Sequence, residues 1–319
     1  MISVPEMRKK QIVMVFTHEG DKLSFSNENI IIKDADGKIK HQSTCYKLFM
    51  LIIAGNISIT SGILQRARKY GFAICLMTRT FKVYQVISNN GDGNTILRKY
   101  QYEYDDIELG KHIIRNKISN QLAILKQIRV KSSYDVEAIQ YLKTYIEKLD
   151  DAETVNEIMG YEGAAARAYF ERVFRDAEWK GRKPRIKSDY INSTLDIGYN
   201  LLFNFVDAIL LSFGFDTYYG VLHRCFYRRK SLVCDLVEPF RVIIDKSVAK
   251  GINLGQIKES DFKLMGHRYV LSFDKSPKYV SLLMSVIINY KDDIFKYIQG
   301  YYRSFMKKNI ADDFPWFEM

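Results

Sequence analysis

The chain has 319 residues, 47% hydrophobic and 13% aromatic, which is more apolar material than one core needs and excludes wholesale disorder. A formal net charge of +11 and a pI of about 9.2 predict an anionic partner, either nucleic acid or a charged membrane surface. Cys45, Cys75, Cys225 and Cys234 include no C-x-x-C pair and are spaced too irregularly for a disulfide framework or a zinc ribbon.

The N-terminal MISVPEMRKKQ lacks the apolar stretch of a secretory signal, so the protein is expected to stay in the compartment where it is made. Short β-prone runs follow at Gln11–Phe16, Asn29–Lys33, Phe49–Ile53, Ala73–Met77 and Lys82–Ile87, separated by turn formers such as Asp36-Gly37. One helix is predicted among them at Ser61–Tyr70, where Ile63, Leu64 and Ala67 recur at helical spacing before Gly71 ends the pattern. The run SNNGDGN, Ser88 to Asn94, reads as a linker.

Beyond it the apolar period is helical. Ile113, Ile114, Ile118, Leu122, Leu125 and Ile128 mark a helix over Leu109–Val130, and Val136, Ile139, Leu142, Ile146 and Leu149 mark the next. Further helices are predicted at Tyr161–Arg175, Ser193–Phe213, Leu232–Lys250 and Lys278–Lys307. Leu195–Phe215 is apolar enough to suggest a membrane span. Asp196, Asn204 and Asp207 interrupt it, however, which favours a buried helix. The fold class expected is α+β, with a β-rich domain over residues 1–95 and a larger all-α catalytic domain over residues 96–319.

Four residues of the helical part could together hold a divalent cation. Glu162 opens EGAAARAYF, His223 begins LHRCFYRRKSLVCDLVEPFR, and Asp235 and Glu238 lie three apart in that run, on one face of a helix. One imidazole nitrogen with two or three carboxylates suits Mg²⁺ or Mn²⁺ and leaves positions open for phosphate. Each residue also has a structural reading. A glutamate in the first turn of a helix complements its dipole, and acidic groups near a helix start capped by Ser231 are ordinary. Pro239 predicts a kink beside Glu238.

Arg224, Arg228, Arg229, Lys230, Arg241, Lys246 and Lys250 surround this stretch. A second basic group, Arg172, Arg175, Lys180, Arg182, Lys183, Arg185 and Lys187, follows the Glu162 helix, and Arg167 lies within it. Arg167, Arg224, Arg228, Arg229, Lys230 and Arg241 are the expected DNA contacts, with Trp179, Tyr190 and Tyr227 available to stack on splayed bases. His267 reads as structural or as a phosphate contact. No phosphate-cradling Walker loop or dinucleotide fingerprint occurs, so nucleotide-driven work has no support.

EGAAARAYF, the later LH and SLVCDLVEPFR resemble the signature of the CRISPR-associated integrase, the Cas1 family. GNISITSGILQRARKYGFAICLM and KISNQLAILK resemble its first domain and first long helix. The resemblance implies Glu162, His223 and Glu238 as metal ligands and Asp235 as a supporting catalytic carboxylate. It implies insertion of short foreign DNA into a CRISPR array, a DNA 3′-hydroxyl attacking a target phosphodiester in a metal-dependent transesterification.

It further implies a cytoplasmic prokaryotic protein that acts without a membrane on double-stranded DNA, both prespacer and repeat array. A homodimer formed by the β domains, and a small companion acquisition subunit bridging two dimers, complete the expectation. Two other readings stand beside it: a structure-dependent nuclease acting on branched DNA, and a non-catalytic basic binding module.

Overall fold

The structure, a computed structural model, describes residues 2–88, 93–177, 179–223 and 226–319. Of the expected linker only Ser88, Gly93 and Asn94 fall among these, and Arg224 and Cys225 lie outside them. Contacts divide the chain into two compact units, one of Met1–Asn94 with Asp207–Phe215 and one of Thr95–Val206 with Asp216–Met319.

In the first unit Ser3 and Glu6 form a capping box that starts α1 (Val4–Lys9). The strands are β1 (Gln11–Phe16), β2 (Lys22–Ser26), β3 (Asn29–Lys33), β4 (Ile39–Thr44) and β5 (Leu48–Ala54), followed by α2 (Ser61–Tyr70), β6 (Ala73–Met77) and β7 (Val83–Ile87). They form a sheet of order β1-β5-β6-β7 and an antiparallel sheet of order β2-β3-β4. β5 pairs in parallel with both β1 and β6, and every residue of its LFMLIIA run is buried. An unbroken apolar strand is what a position between parallel neighbours, covered on both faces, requires.

α2 ends where Gly71 turns left-handed at φ 71° and its N–H reaches the Ala67 carbonyl, as the sequence predicts. β2 and β4 have no continuous apolar stripe to betray them. β2 is fixed through its hairpin partner β3, across a two-residue turn in which Asn27 and Glu28 both take positive φ, the twist that suits adjacent strands.

The second unit is built from α3 (Thr95–Glu103), α4 (Ile107–Lys126), α5 (Ser133–Lys148), α6 (Val155–Val173), α7 (Tyr190–Phe213), α8 (Ser231–Val237), α9 (Arg241–Asn253), α10 (Ser276–Asn289) and α11 (Lys291–Lys307). The C-terminal end of α7, from Asp207, belongs to the first unit. A short hairpin of β8 (Phe262–Met265) and β9 (Arg268–Leu271) interrupts the helices, with His267 exposed at its turn. α7 is long and apolar enough to cross a membrane, but 72% of its most apolar window is buried within the fold, as befits a core helix.

α4 packs against α5, α6 and α9 and buries Asn116, Lys117 and Asn120 along with its apolar positions. The two asparagines receive the end of the chain. Asn116 Nδ2 donates to the Phe317 carbonyl at 2.6 Å and its Oδ1 accepts from the Phe317 N–H at 3.1 Å, while Asn120 Nδ2 reaches the same carbonyl at 3.0 Å. The Phe317 ring then lies 4.5 Å from that of Phe240, beside the turn that carries Glu238.

Candidate metal centre

Glu162 stands two turns inside α6, not in its first turn, because the helix starts earlier at a capping box of Thr154 and Glu157. The dipole account of Glu162 therefore fails. The T-V-N-E run was the sequence signal that would have placed it correctly. Gly163 follows on an exposed face with open space around it, and Ala165 is buried.

The SLVCDLVEPFR run breaks as Pro239 predicts. Pro239 has no N–H to donate, and α8 gives way at Val237 to a 3-10 turn, Glu238–Phe240, before α9 resumes at Arg241. Lys230, not Ser231, stands at the N-cap position of α8, and its side chain makes no capping hydrogen bond there.

Asp235 is fully buried and turned toward the loop before α8. Its Oδ2 accepts from the N–H groups of Val221 and Leu222 at 2.6 and 3.0 Å, and its Oδ1 accepts from the His223 N–H at 3.0 Å. The same Oδ1 accepts from His223 Nδ1 at 2.6 Å, which fixes the imidazole and leaves Nε2 as its ligating nitrogen. Gly220 makes this approach possible, since a Cβ there would come within 2.8 Å of both the His223 carbonyl and Ser231 Cβ.

Glu238 faces the other way. Its Oε2 accepts from Lys117 Nζ at 2.6 Å and its Oε1 pairs with Arg241 at 3.0 Å, while Lys117 Nζ also donates to Glu162. Two carboxylates from α6 and the 3-10 turn thus converge on one ammonium supplied by α4. Burial alone would push the Glu238 carboxyl up, but Arg241, Lys117 and the nearby His223 hold it below the usual range. Burial would likewise lower Lys117, yet Glu162 and Glu238 outweigh it and raise the ammonium. Behind Arg241, whose guanidinium lies 4.9 Å from the Tyr199 ring centre, the Tyr199 hydroxyl bonds Asp245. Burial pushes the Asp245 carboxyl from 3.8 up to about 6.

The structure therefore brings the four expected residues together as two pairs, Glu162 with Glu238 across Lys117 and His223 with Asp235. Among the described residues no three His, Cys, Asp or Glu side chains already form a metal cage. The donor set still fits a hard divalent cation. Two carboxylates already share one positive charge, and an aspartate-held imidazole lies near one of them. Lys117 had no signal in the sequence, lying 45 residues from Glu162 and 121 from Glu238.

The basic residues divide by partner. Arg167 and Arg228 are exposed, Arg228 with its guanidinium 5.1 Å from the Tyr227 ring centre, and Arg229 and Lys230 are half-buried. Arg241 is committed to Glu238, and Arg224 lies outside the described residues. In the second group Arg172 and Arg175 hold Asp135, and Arg182 holds Asp196 at 2.5 Å, so these serve the fold. Trp179 packs on Phe170 and Phe174, and Tyr190 on Phe262, while Tyr227 is 80% exposed.

Fold and side chains together define a class, a β-rich unit paired with a helical unit that bears convergent carboxylates and an aspartate-held imidazole. The family model of CRISPR associated protein Cas1 matches residues 14–284, and the chain belongs to that family. Among curated relatives, a CRISPR-associated endonuclease Cas1 of Rhodospirillum rubrum is 28% identical over 294 residues, spanning 86% of this chain and 85% of that protein. One of Leptospira interrogans is 33% identical over 186 residues, 52% of this chain and 73% of the relative.

Solved structures share the fold. A Cas1 protein from Thermotoga maritima has a TM-score of 0.80 at 18% identity, over 92% of this chain and 97% of that one. A casposase bound to integration product scores 0.77 at 20% identity, over 94% and 91% of the two chains. A chain of a Cas6-RT-Cas1–Cas2 complex scores 0.81 at 21% identity, over 97% of this chain but 36% of that longer one.

Proposed function

We propose that this chain is a metal-dependent DNA integrase that joins short DNA to a CRISPR array by transesterification, with Mg²⁺ or Mn²⁺ held by Glu162, His223 and Glu238. The observation that carries the reading is the convergence of Glu162 and Glu238 on a single positive charge beside an imidazole fixed by Asp235. When bound, the cation supplies charge stabilisation to the phosphoryl oxygens.

The protein's own groups do the rest. Asp235 holds His223 in one tautomer and orientation, and Arg241 keeps the Glu238 carboxylate ionised and aimed. Arg167, Arg228, Arg229 and Lys230 neutralise phosphates on either side, which aligns the 3′-hydroxyl strand with the target phosphodiester. The hydroxyl gives its proton to solvent as its oxygen bonds to phosphorus, and the target strand's 3′-oxygen leaves and takes a proton from solvent. One phosphodiester replaces another, so no nucleotide cofactor is needed.

Family membership supports the partners: double-stranded DNA, a second copy of the chain meeting through the β unit, and a small companion subunit, all in a prokaryotic cytoplasm. The presence of Cas2 in the Cas6-RT-Cas1–Cas2 complex supports the companion, and the integration product bound by the casposase supports strand joining. Hydrolysis at the same centre, with water in place of the hydroxyl, is a second reading favoured by the endonuclease names of curated relatives.

The test incubates the protein and Mn²⁺ with a 3′-hydroxyl duplex and a supercoiled plasmid bearing repeats. Covalent joining is expected. Cleavage without joining would leave the nuclease, and DNA binding that chelator does not alter, with no product, would leave a binding module.

A further inference from the structure

Lys117 is neither a metal ligand nor a DNA contact in the proposed reaction, yet it occupies the middle of the centre. Its side chain is 8% exposed, and its ammonium lies between carboxylates that come from two separate elements. Together with Arg241 it balances Glu162 and Glu238, two positive charges against two negative, so these four side chains sum to neutral.

The two cations are held differently. Arg241 is fixed by a planar head that meets Glu238 on one side and the Tyr199 ring on another. Lys117 ends in a compact point charge on a flexible four-carbon stem, which can turn away without moving α4.

We infer that Lys117 is a placeholder: its ammonium takes the position between Glu162 and Glu238 that the divalent cation requires, and metal binding displaces it. The inference rests on the proposed metal centre. Its physical basis is that a buried carboxylate, Glu238, and a part-buried one, Glu162, would repel each other without a shared cation and bear an uncompensated desolvation cost. The ammonium removes that cost in the metal-free chain.

Exchange also changes the sign of the pocket. With Lys117 seated the four side chains sum to zero. With a divalent ion between the carboxylates and the ammonium turned out, Glu162, Glu238, Arg241 and the ion sum to +1. The pocket therefore becomes attractive to phosphate only when the metal is in, which couples DNA capture to metal loading.

Manganese titration calorimetry and thermal unfolding in chelator, on the full chain, test this. Lys117→Met is expected to bind Mn²⁺ about tenfold more tightly than the unaltered protein, because nothing has to be displaced, and to melt at lower temperature in chelator. Saturating Mn²⁺ should close the gap in melting temperature.

Lys117→Arg retains the charge but grips carboxylates through a planar fork. It should fold and bind Mn²⁺ about tenfold more weakly. Unchanged or weaker Mn²⁺ binding by a folded Lys117→Met, or unaltered binding by Lys117→Arg, overturns the placeholder. Glu162→Gln separates the two claims. If it leaves Mn²⁺ binding intact, the metal centre itself is misassigned. If it abolishes binding while neither lysine variant shifts affinity, only the placeholder fails.

Discussion

α6 takes part in two charge clusters, one near its middle and one at its C-terminal end, and the two are built for different ends. Near its C-terminus Asp135 of α5 is fully buried and accepts from the Ser132 N–H and hydroxyl, from Arg172 and from Arg175. Burial alone would raise that carboxyl, but these donors together hold it well below the usual range. Nearer the middle of the helix, Glu162 shares a lysine with Glu238. Asp135 is one acid over-supplied with rigid donors, and the centre is two acids sharing a flexible cation. Saturation with fixed donors marks a carboxylate that locks helices together, whereas a shared, exchangeable counter-charge marks one that can accept a ligand.

Substitutions at the two clusters should separate these roles. The largest effect is expected from Glu162→Ala or His223→Ala, which should lower strand joining by about 10²–10³-fold in protein that still folds. Full joining by either variant, in the plasmid assay above, removes the site assignment.

Asp135→Ala should do the reverse, destabilising the protein by about 2–3 kcal/mol in urea unfolding while leaving Mn²⁺ affinity intact. The acid limb sharpens the contrast. The Asp135 contribution is present above the unfolded carboxyl value of about 3.9 and is lost as pH falls below it, so the variant should lose that part of the slope. Asp245 has the opposite sign. With its carboxyl raised to about 6, its contribution is greatest below about pH 4 and declines as pH rises to 6, and Asp245→Asn should flatten stability across that window.

Asp235→Asn is expected to reduce Mn²⁺ affinity or joining by roughly 10–100-fold, since it loosens the imidazole without removing a ligand. The smallest effect belongs to the rim. Arg228→Ala should weaken DNA binding evenly across sequences and lower the slope of log affinity against log salt by about 1.

Much of this arrangement could be read from the chain before any coordinates. β1, β3, β5 and β6 have apolar runs, α2 has its terminal glycine, and the break at Pro239 follows from the missing N–H. What escaped depended on distance along the chain. β4 buries none of its residues fully and is specified by its pairing with β3, so local pattern is silent about it. The expected single helix over Lys278–Lys307 divides at Tyr290, for which the apolar period gives no warning.

At the centre, residue types identified the acids and the histidine, but their division of labour depended on donors in other segments. Nothing in CDLVE says that Asp235 will meet three backbone N–H groups while Glu238 meets Lys117. Gly220 was equally silent, because its importance lies in what it lets approach.

The hold of Asn116 and Asn120 on Phe317 has a consequence for biosynthesis. The helix that supplies Lys117 finds these partners about two hundred residues later in the chain. During translation, at roughly 5–20 residues per second, Asn116 waits about ten seconds or more for Phe317, while Asn120 can meet the Pro239 carbonyl sooner. The helix that supplies Lys117 thus completes its buried polar contacts only by closing a loop of about two hundred residues, so the position of that ammonium depends on a segment remote in sequence from both carboxylates it meets.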